Sequence, residues 1–328
     1  MTALADDPFG YGRVIRAADG SVDKIVEEKD ANAEERAVRE INTGSYCFDN
    51  KALFATLQNV DNDNAQGEYY LPDVIELLKS HDEIVGAYQL NDMNEALGVN
   101  DRVALSEAQA IMQARINQAH MINGVTLIDP LNTYIDVDVE IGQDTVIEPG
   151  TYLKGNTVIG EEVFIGSNTQ IINSRIENQA KIIQSIVEES TVKEFSDVGP
   201  FSHLRPGSII EKNVHIGNYV EVKNSTIGSQ TLVGHHAYIG DAEVGQHVNI
   251  GAGVIFANYN GKTKGKTIVG DHTFVGSNST LVAPVALGDK SFIAGGSTIT
   301  EDVPAGGLGI ARSRQTVKEN FHTKYFNK

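Results

Sequence analysis

Aliphatic residues recur at every sixth position through the second half of the chain. Ile135, Ile141, Ile147, Leu153, Ile159, Ile165 and Ile171 open the series. After a five-residue step it runs on through Ile176, Ile182, Val187, Val192, Val198, Leu204, Ile210, Ile216, Val222, Ile227, Val233, Ile239, Val244 and Ile250. It resumes at Val269 and continues through Val275, Leu281, Leu287, Ile293 and Ile299. Each unit supplies a short strand and a turn, and three units close one triangular coil, so the pattern predicts a parallel β-helix over about residues 128–303, of roughly nine to ten coils. The repeated aliphatic is expected to point into the prism. Glycine often follows it, as in Ile141-Gly142, Ile159-Gly160 and Ile216-Gly217, which suggests glycine at the tight turns. Between Ile250 and Val269 the pattern breaks for a polar, lysine-rich excursion. A solenoid has little concave surface of its own, so function is expected where a loop leaves the stack.

Residues 1–100 read as mixed α/β. Strands are predicted over 13–17 and 22–28, joined at the hairpin turn Asp19-Gly20, and over 40–48 and 83–90. Segments 51–57 and 72–78 have helical periodicity, the second opening on a proline. The strongest helix signal is 101–119, where Val103, Ala104, Ala108, Ile111, Met112, Arg115 and Ile116 trace a stripe without glycine or proline. The chain thus divides into 1–100, a linker helix over 101–122, and a β-helix with its tail over 123–328.

An apolar content of 41% suits a sizeable core, and a net charge of -18 argues against nucleic acid as the main partner. The single cysteine, Cys47, excludes a disulfide framework and a cysteine-cluster zinc site. No apolar run is long enough for membrane insertion and no signal-peptide pattern opens the chain, so a cytoplasmic protein is expected. Neither GxGxxG nor GxxxxGK[ST] occurs near the start.

Candidate chemistry gathers before the excursion. In Gly234-His235-His236-Ala237-Tyr238-Ile239-Gly240 the inward phase of Val233 and Ile239 leaves His235 or His236 facing out. Adjacent strand residues point opposite ways, so only one of the two is expected to serve. Arg205 follows inward Leu204 and Lys223 follows inward Val222, one coil apart, so the two cations stack on one face. Cations about 5 Å apart repel unless an anion joins them. A phosphate fits, and ion pairs with Glu221 or Glu211 fit as well. A histidine beside a phosphate clamp suits general-base work on an amine or hydroxyl. No HExxH or serine-triad pattern is present.

Across essentially its whole length the sequence resembles the bacterial bifunctional family that acetylates glucosamine 1-phosphate and then uridylylates the product. The motifs that carry the resemblance include Gly10-Tyr11-Gly12-Arg13, Ile41-Asn42-Thr43-Gly44, Asn64-Ala65-Gln66-Gly67-Glu68-Tyr69-Tyr70, Leu204-Arg205-Pro206-Gly207, Asn249-Ile250-Gly251-Ala252-Gly253 and Ser313-Arg314-Gln315. The resemblance implies a left-handed β-helix preceded by part of a Rossmann-like nucleotidyltransferase domain. It implies His235 as the base on the sugar amine, with Arg205, Lys223, Tyr238, Asn249 and Lys264 binding the sugar phosphate. It also implies Ala252, Asn258, Tyr259, Ser277, Gly295 and Arg312 along acetyl-CoA, Gly295 standing where the family often has alanine. Gly12, Glu27 and Asn42 would contact a UDP-sugar, and Asn100 would ligate magnesium. The family's glycine-rich UTP loop and its metal-binding aspartate have no counterpart here, so an N-terminally truncated member, an incomplete magnesium site and loss of uridylyl transfer are expected. A homotrimer is expected too, packed around the β-helix and the basic tail Arg312, Arg314, Lys318, Lys324 and Lys328. The competing readings are an acyltransferase of the same prism type with another acceptor, a histidine-liganded zinc anhydrase and an ice-binding scaffold. Threonine-rich flat rungs would mark the last, and convergent histidines the anhydrase.

Overall fold

A computed structural model describes residues 1–326; of the expected basic tail, Lys328 lies outside the described residues. The chain divides into two compact units, residues 1–112 and 113 onward, the division falling within one long helix.

The first unit holds a small antiparallel sheet of β1 (Thr2–Leu4), β2 (Arg13–Arg16), β3 (Val22–Val26) and β4 (Glu40–Asn42), in the order β1-β4-β2-β3. The β2–β3 hairpin and helices α2 (Asn50–Thr56) and α3 (Asp73–Ser80) fall where periodicity put them. Two strands do not. The segment expected over 40–48 ends at Asn42, because the Asn42 side chain accepts from Gly44 N at 3.1 Å and Gly44 takes φ +75°, which turns the chain out of the sheet. The segment 83–90 forms no strand; its backbone bonds to the sheet at Thr2, which donates to Tyr88 O and accepts from Leu90 N, each at 2.8 Å, while Val85 and Ala87 pack against the cluster of Val14, Val22 and Ile75. A short helix, α1 (Ala33–Arg36), was unforeseen. Asn32 and Glu35 close a reciprocal capping box around its first turn, a signature readable in the sequence.

The second unit is a parallel β-helix. Among the described residues its walls are parallel sheets of nine, eleven and ten strands. The first runs from Glu140–Ile141 to Val285–Leu287, the second from Thr126–Leu127 to Leu308–Gly309, and the third from Thr133–Ile135 to Thr298–Ile299. Register follows the hexad: Ile159 pairs with Ile141 and Ile176, and Leu204 with Val187 and Val222. The repeated aliphatics form one continuous buried core. Between them, buried serines and threonines join successive coils; Thr145 Oγ1 donates to Gly160 O at 2.8 Å and accepts from Val163 N at 3.1 Å. The glycines that follow the aliphatics do a different job from the one expected. The left-handed turn positions are held mainly by other residues, among them Asn168, Gln179, Asn213 and Gln230. Gly217 is needed for stacking instead, since a Cβ there would lie 1.9 Å from Gly234 O on the next coil.

Helix α4 (Arg102–Ile122) runs on past the periodic stripe of 101–119. Its apolar stripe is only partly used: Val103 and Met112 are exposed, while Ile116 packs on the β-helix core. The fully buried residue of α4 is polar. Asn117 Nδ2 donates to Pro130 O at 2.7 Å and Thr133 O at 2.9 Å, and Gln113 Nε2 adds bonds to Leu131 O and Thr133 O. Carbonyls at the first coil, which no preceding coil can satisfy, thus find donors on the helix. We expect Asn117→Ala to lower the unfolding free energy by about 1–3 kcal/mol, for two buried hydrogen bonds lost while Gln113 still donates to the same carbonyls. Urea unfolding followed by circular dichroism checks this, and an unchanged midpoint would remove Asn117 from the cap.

Candidate functional site

His235 ends the strand Leu232–His235 on the second wall, just before the corner leading to Tyr238–Gly240 on the third. Val233 and Ile239 are fully buried, as the hexad requires. Strand alternation does not separate the two histidines, however, because His236 is no longer on the strand. It takes the left-handed corner conformation, φ 47°, and both side chains are exposed. Their partners separate them. The His236 ring stacks on Tyr219 at 4.9 Å between centroids, and Tyr219 stacks on Phe201 at 5.3 Å. His235 Nδ1 lies 2.6 Å from Asn218 Oδ1 on the preceding coil.

Arg205 and Lys223 sit side by side in register on the third wall, as their spacing implied. Each already faces a carboxylate. Arg205 Nη1 donates to Glu221 Oε1 at 2.8 Å, and that bond, with the Glu221 charge, raises the guanidinium's pKa. Lys223 Nζ is 3.5 Å from Asp241 Oδ2. Glu211 takes no part, being paired with Lys193 at 2.7 Å. The ion-pair reading therefore describes these side chains, and an incoming anion would compete with Glu221 and Asp241. Lys264 arrives from the excursion beside Lys223; hydrogen bonding to Lys223 and the charge of that ammonium push Lys264 below the ordinary lysine value. Asp241 ties the group together. Its Oδ1 accepts from Asn224 Nδ2 at 2.7 Å and its Oδ2 from Asn258 Nδ2 at 2.5 Å. Burial alone would raise this carboxyl, but those hydrogen bonds and the ammonium groups of Lys223 and Lys264 outweigh it and hold Asp241 below the usual range. Gly240 stands in register with Lys223, and a Cβ there would lie 2.4 Å from Tyr238 Oη and 2.7 Å from Asn258 Nδ2. Glycine at this rung leaves room for both side chains. A cavity of about 380 Å³ adjoins the group, lined by Asn224, Asp241, Glu243, Lys264 and Lys266 among others.

A second alignment was not visible from spacing. On the second wall Val233, Ile250, Val275 and Ile293 are in register. Two residues further on, the same register lines up His235, Ala252, Ser277 and Gly295. Asn278 N donates to Ala252 O and Gly296 N to Ser277 O, each at 2.8 Å, which continues the ladder through the corner. Arg312 Nη1 donates to Gly295 O at 2.7 Å. Ala252, Ser277, Gly295 and Arg312 thus run along one edge that starts at His235. Asn258 and Tyr259 lie apart from that edge: Asn258 on Asp241, and Tyr259 exposed, bridged to Lys264 with its hydroxyl donating to Gly261 O at 2.7 Å. Asn249 joins His235's wall, in register with Leu232 and Phe274, rather than the cationic group. Asn218 and Asp241 were missed. The one-coil spacing from Asn218 to His235 was available as a signal; for Asp241 nothing short of its contacts was.

In the first unit Gly12, Glu27 and Asn42 come together. Asn42 N donates to Gly12 O at 2.8 Å, and a Cβ on Gly12 would lie 2.9 Å from Glu27 Oε1. Burial, with Asp30 and Asp73 adding to it and Arg13 opposing, pushes the Glu27 carboxyl above its usual range. Asn100 is exposed in coil, and among the described residues no group of three or more His, Cys, Asp or Glu could hold a metal ion. The donor set present does not fit a magnesium site. Among the described residues no helix is long and apolar enough to cross a membrane.

Comparison with known proteins adds the following. Residues 138–173 match the bacterial transferase hexapeptide family of six repeats, and residues 187–292 match the GMPPB C-terminal domain. The bifunctional protein GlmU of Enterococcus faecalis is 58% identical over 324 residues, 99% of this chain and 71% of that protein. The bifunctional protein GlmU of Streptococcus suis is 55% identical over 325 residues, with the same shares. Among solved structures, the UDP-N-acetylglucosamine acyltransferase of Francisella novicida is 17% identical with a TM-score of 0.38, covering 57% of this chain and 67% of that one.

Proposed function

The chain belongs to the family of the bifunctional protein GlmU, and from that premise we propose how it transfers an acetyl group from acetyl-CoA to the amine of glucosamine 1-phosphate. The reaction releases CoA and gives N-acetylglucosamine 1-phosphate. The reading is carried by two features of adjoining rungs, the cationic group at the end of the third-wall strands and a histidine at the corner where that wall begins. Arg205 and Lys223 stack in register, Lys264 joins them, and His235 stands at the neighbouring corner. The sugar phosphate takes the place of the Glu221 and Asp241 carboxylates on these cations, with Tyr238 and Asn249 at the sugar. His235 removes a proton from the attacking amine as nitrogen bonds to the thioester carbonyl. The tetrahedral intermediate then collapses, the carbon–sulfur bond breaks, and the CoA sulfur leaves as the thiolate or takes up the proton. Acetyl-CoA lies along Ala252, Ser277, Gly295 and Arg312, and Asn258 and Tyr259, which lie apart from that edge in one chain, reach its reactive end from a neighbouring subunit of the trimer. In the division of labour, residues 1–100 form the sugar-binding part of a uridylyltransferase domain, with Gly12, Glu27 and Asn42 at the UDP-sugar, 101–122 connect, and 123–328 carry acetyl transfer.

The working unit in this reading is a homotrimer. Leu232, Phe274, Phe292 and Leu308 are exposed in one register of the second wall, with Asn249 between Leu232 and Phe274, and the Phe201–Tyr219–His236 stack adds exposed rings at the corner that follows. Light scattering should give about three times the 35.4 kDa chain mass; a monomer at micromolar concentration would defeat it. The runner-up is the same chemistry on another acceptor. A thiol-release assay with glucosamine 1-phosphate, glucosamine 6-phosphate and unphosphorylated glucosamine separates the two, and a faster rate with either of the others would overturn the acceptor assignment.

A further inference from the structure

We propose that Asn218 is a positioning residue for acetyl transfer: it holds the His235 ring with its proton on Nδ1 and leaves Nε2 as the nitrogen that takes up the proton of the amine. The inference rests on the reading of His235 as the base. Asn218 ends the strand His215–Asn218 and pairs in register with His235 one coil later, with Oδ1 2.6 Å from Nδ1. An amide oxygen has no proton to give, so this contact is favourable only when Nδ1 carries the hydrogen. A neutral imidazole has one ring hydrogen, and Nε2 is then bare. An unpartnered imidazole favours the opposite tautomer, which would put the hydrogen on the nitrogen needed as base.

The contact is held from both sides. Asn218 O accepts from His236 N at 3.0 Å, and the His236 ring is clamped on Tyr219, the residue after Asn218. The chemistry of the partner also distinguishes His235 from its neighbours in the β-helix. His203 Nε2 faces Glu188 at 2.8 Å and His215 Nδ1 faces Asp197 at 2.6 Å, each a side chain on another coil. A carboxylate places a negative charge against the ring it holds. A neutral amide orients the ring without that charge. The corner with the amide partner is the one that leads the Ala252, Ser277 and Gly295 edge.

The test uses the full chain labelled with nitrogen-15 histidine, His235 being assigned by difference from His235→Gln. The parent should show His235 protonated at Nδ1, and Asn218→Ala should move it toward the Nε2–H form. With that change kcat should fall by roughly 10- to 100-fold, the size seen when a group orienting a functional histidine is removed. The KM values for both substrates should stay within about twofold, since no binding contact is lost. Asn218→Asp keeps an oxygen acceptor and should restore the Nδ1–H form and most of the rate above about pH 8. A parent His235 bare at Nδ1 would overturn the proposal. So would an Asn218→Ala protein as fast as the parent while His235→Ala is inactive. Full activity in His235→Ala would instead overturn the base assignment, and the proposal with it.

Discussion

Replacing His235 with alanine should lower acetyl transfer by roughly 10²- to 10⁴-fold, the range general-base removal produces. Glucosamine 1-phosphate is mostly ammonium at neutral pH and an ammonium has no lone pair, so the nitrogen gives up one proton to solvent before it attacks and a second to the base as the tetrahedral intermediate forms. His235 is exposed at the end of its strand, and its Nδ1 meets Asn218. Stability should barely change, because His235 is exposed and the buried Val233 and Ile239 of the same rung are untouched. His236→Ala should stay within a few-fold of the parent rate. Its ring is engaged in stacking on Tyr219, so its loss should loosen the corner rather than remove the base. Steady-state thiol release with both variants, alongside a thermal melt, checks the pair. If His236→Ala were inactive and His235→Ala near normal, the assignment at this corner would be reversed.

The second large effect lies at the stacked cations. Arg205→Ala and Lys223→Ala should each raise the KM for glucosamine 1-phosphate by roughly 10- to 100-fold, since a hydrogen bond to a charged partner is worth about 1.5–3 kcal/mol. Unphosphorylated glucosamine should respond little to either change, because the interaction removed is with the phosphate. The two substitutions should not add, since the groups sit in register on one rung pair and would share the same anion. Removing Lys223 also leaves Asp241 without its nearest ammonium partner, although Asn224 and Asn258 still donate to it. Arg205→Ala similarly frees Glu221. Equal KM changes for the phosphorylated and unphosphorylated sugars would show that these cations do not read the phosphate.

Most of the β-helix was legible because a solenoid repeats one local decision. The aliphatic series gave the walls, the register and the inward face from Ile135 to Ile299, and the stacking of Arg205 on Lys223 followed from an unbroken coil. What failed was local. The phase said which residues face inward, yet at the corner after Val233 the chain leaves the strand and two successive histidines are both exposed. Glycine was read as a turn residue, whereas Gly217 answers to the backbone of the neighbouring coil, a contact no single coil reveals. The excursion after Ile250 stretches the spacing, so the alignment of His235 with Ser277 and Gly295 cannot be counted from the sequence. In the first unit the alternation of 83–90 looked like a strand, but its pairing depends on the single residue Thr2. The apolar stripe of α4 concealed Asn117, whose burial follows from the unpaired carbonyls of the first coil.

Acetyl transfer to the sugar amine is tested most directly by its product. Purified chain incubated with acetyl-CoA carrying a carbon-13 acetyl group and with glucosamine 1-phosphate should yield labelled N-acetylglucosamine 1-phosphate by mass spectrometry. Free CoA thiol should appear mole for mole with that product, and both should be lost in His235→Ala. Thiol release without a labelled amide on the sugar, or no turnover above background in a well-folded trimer, would contradict it.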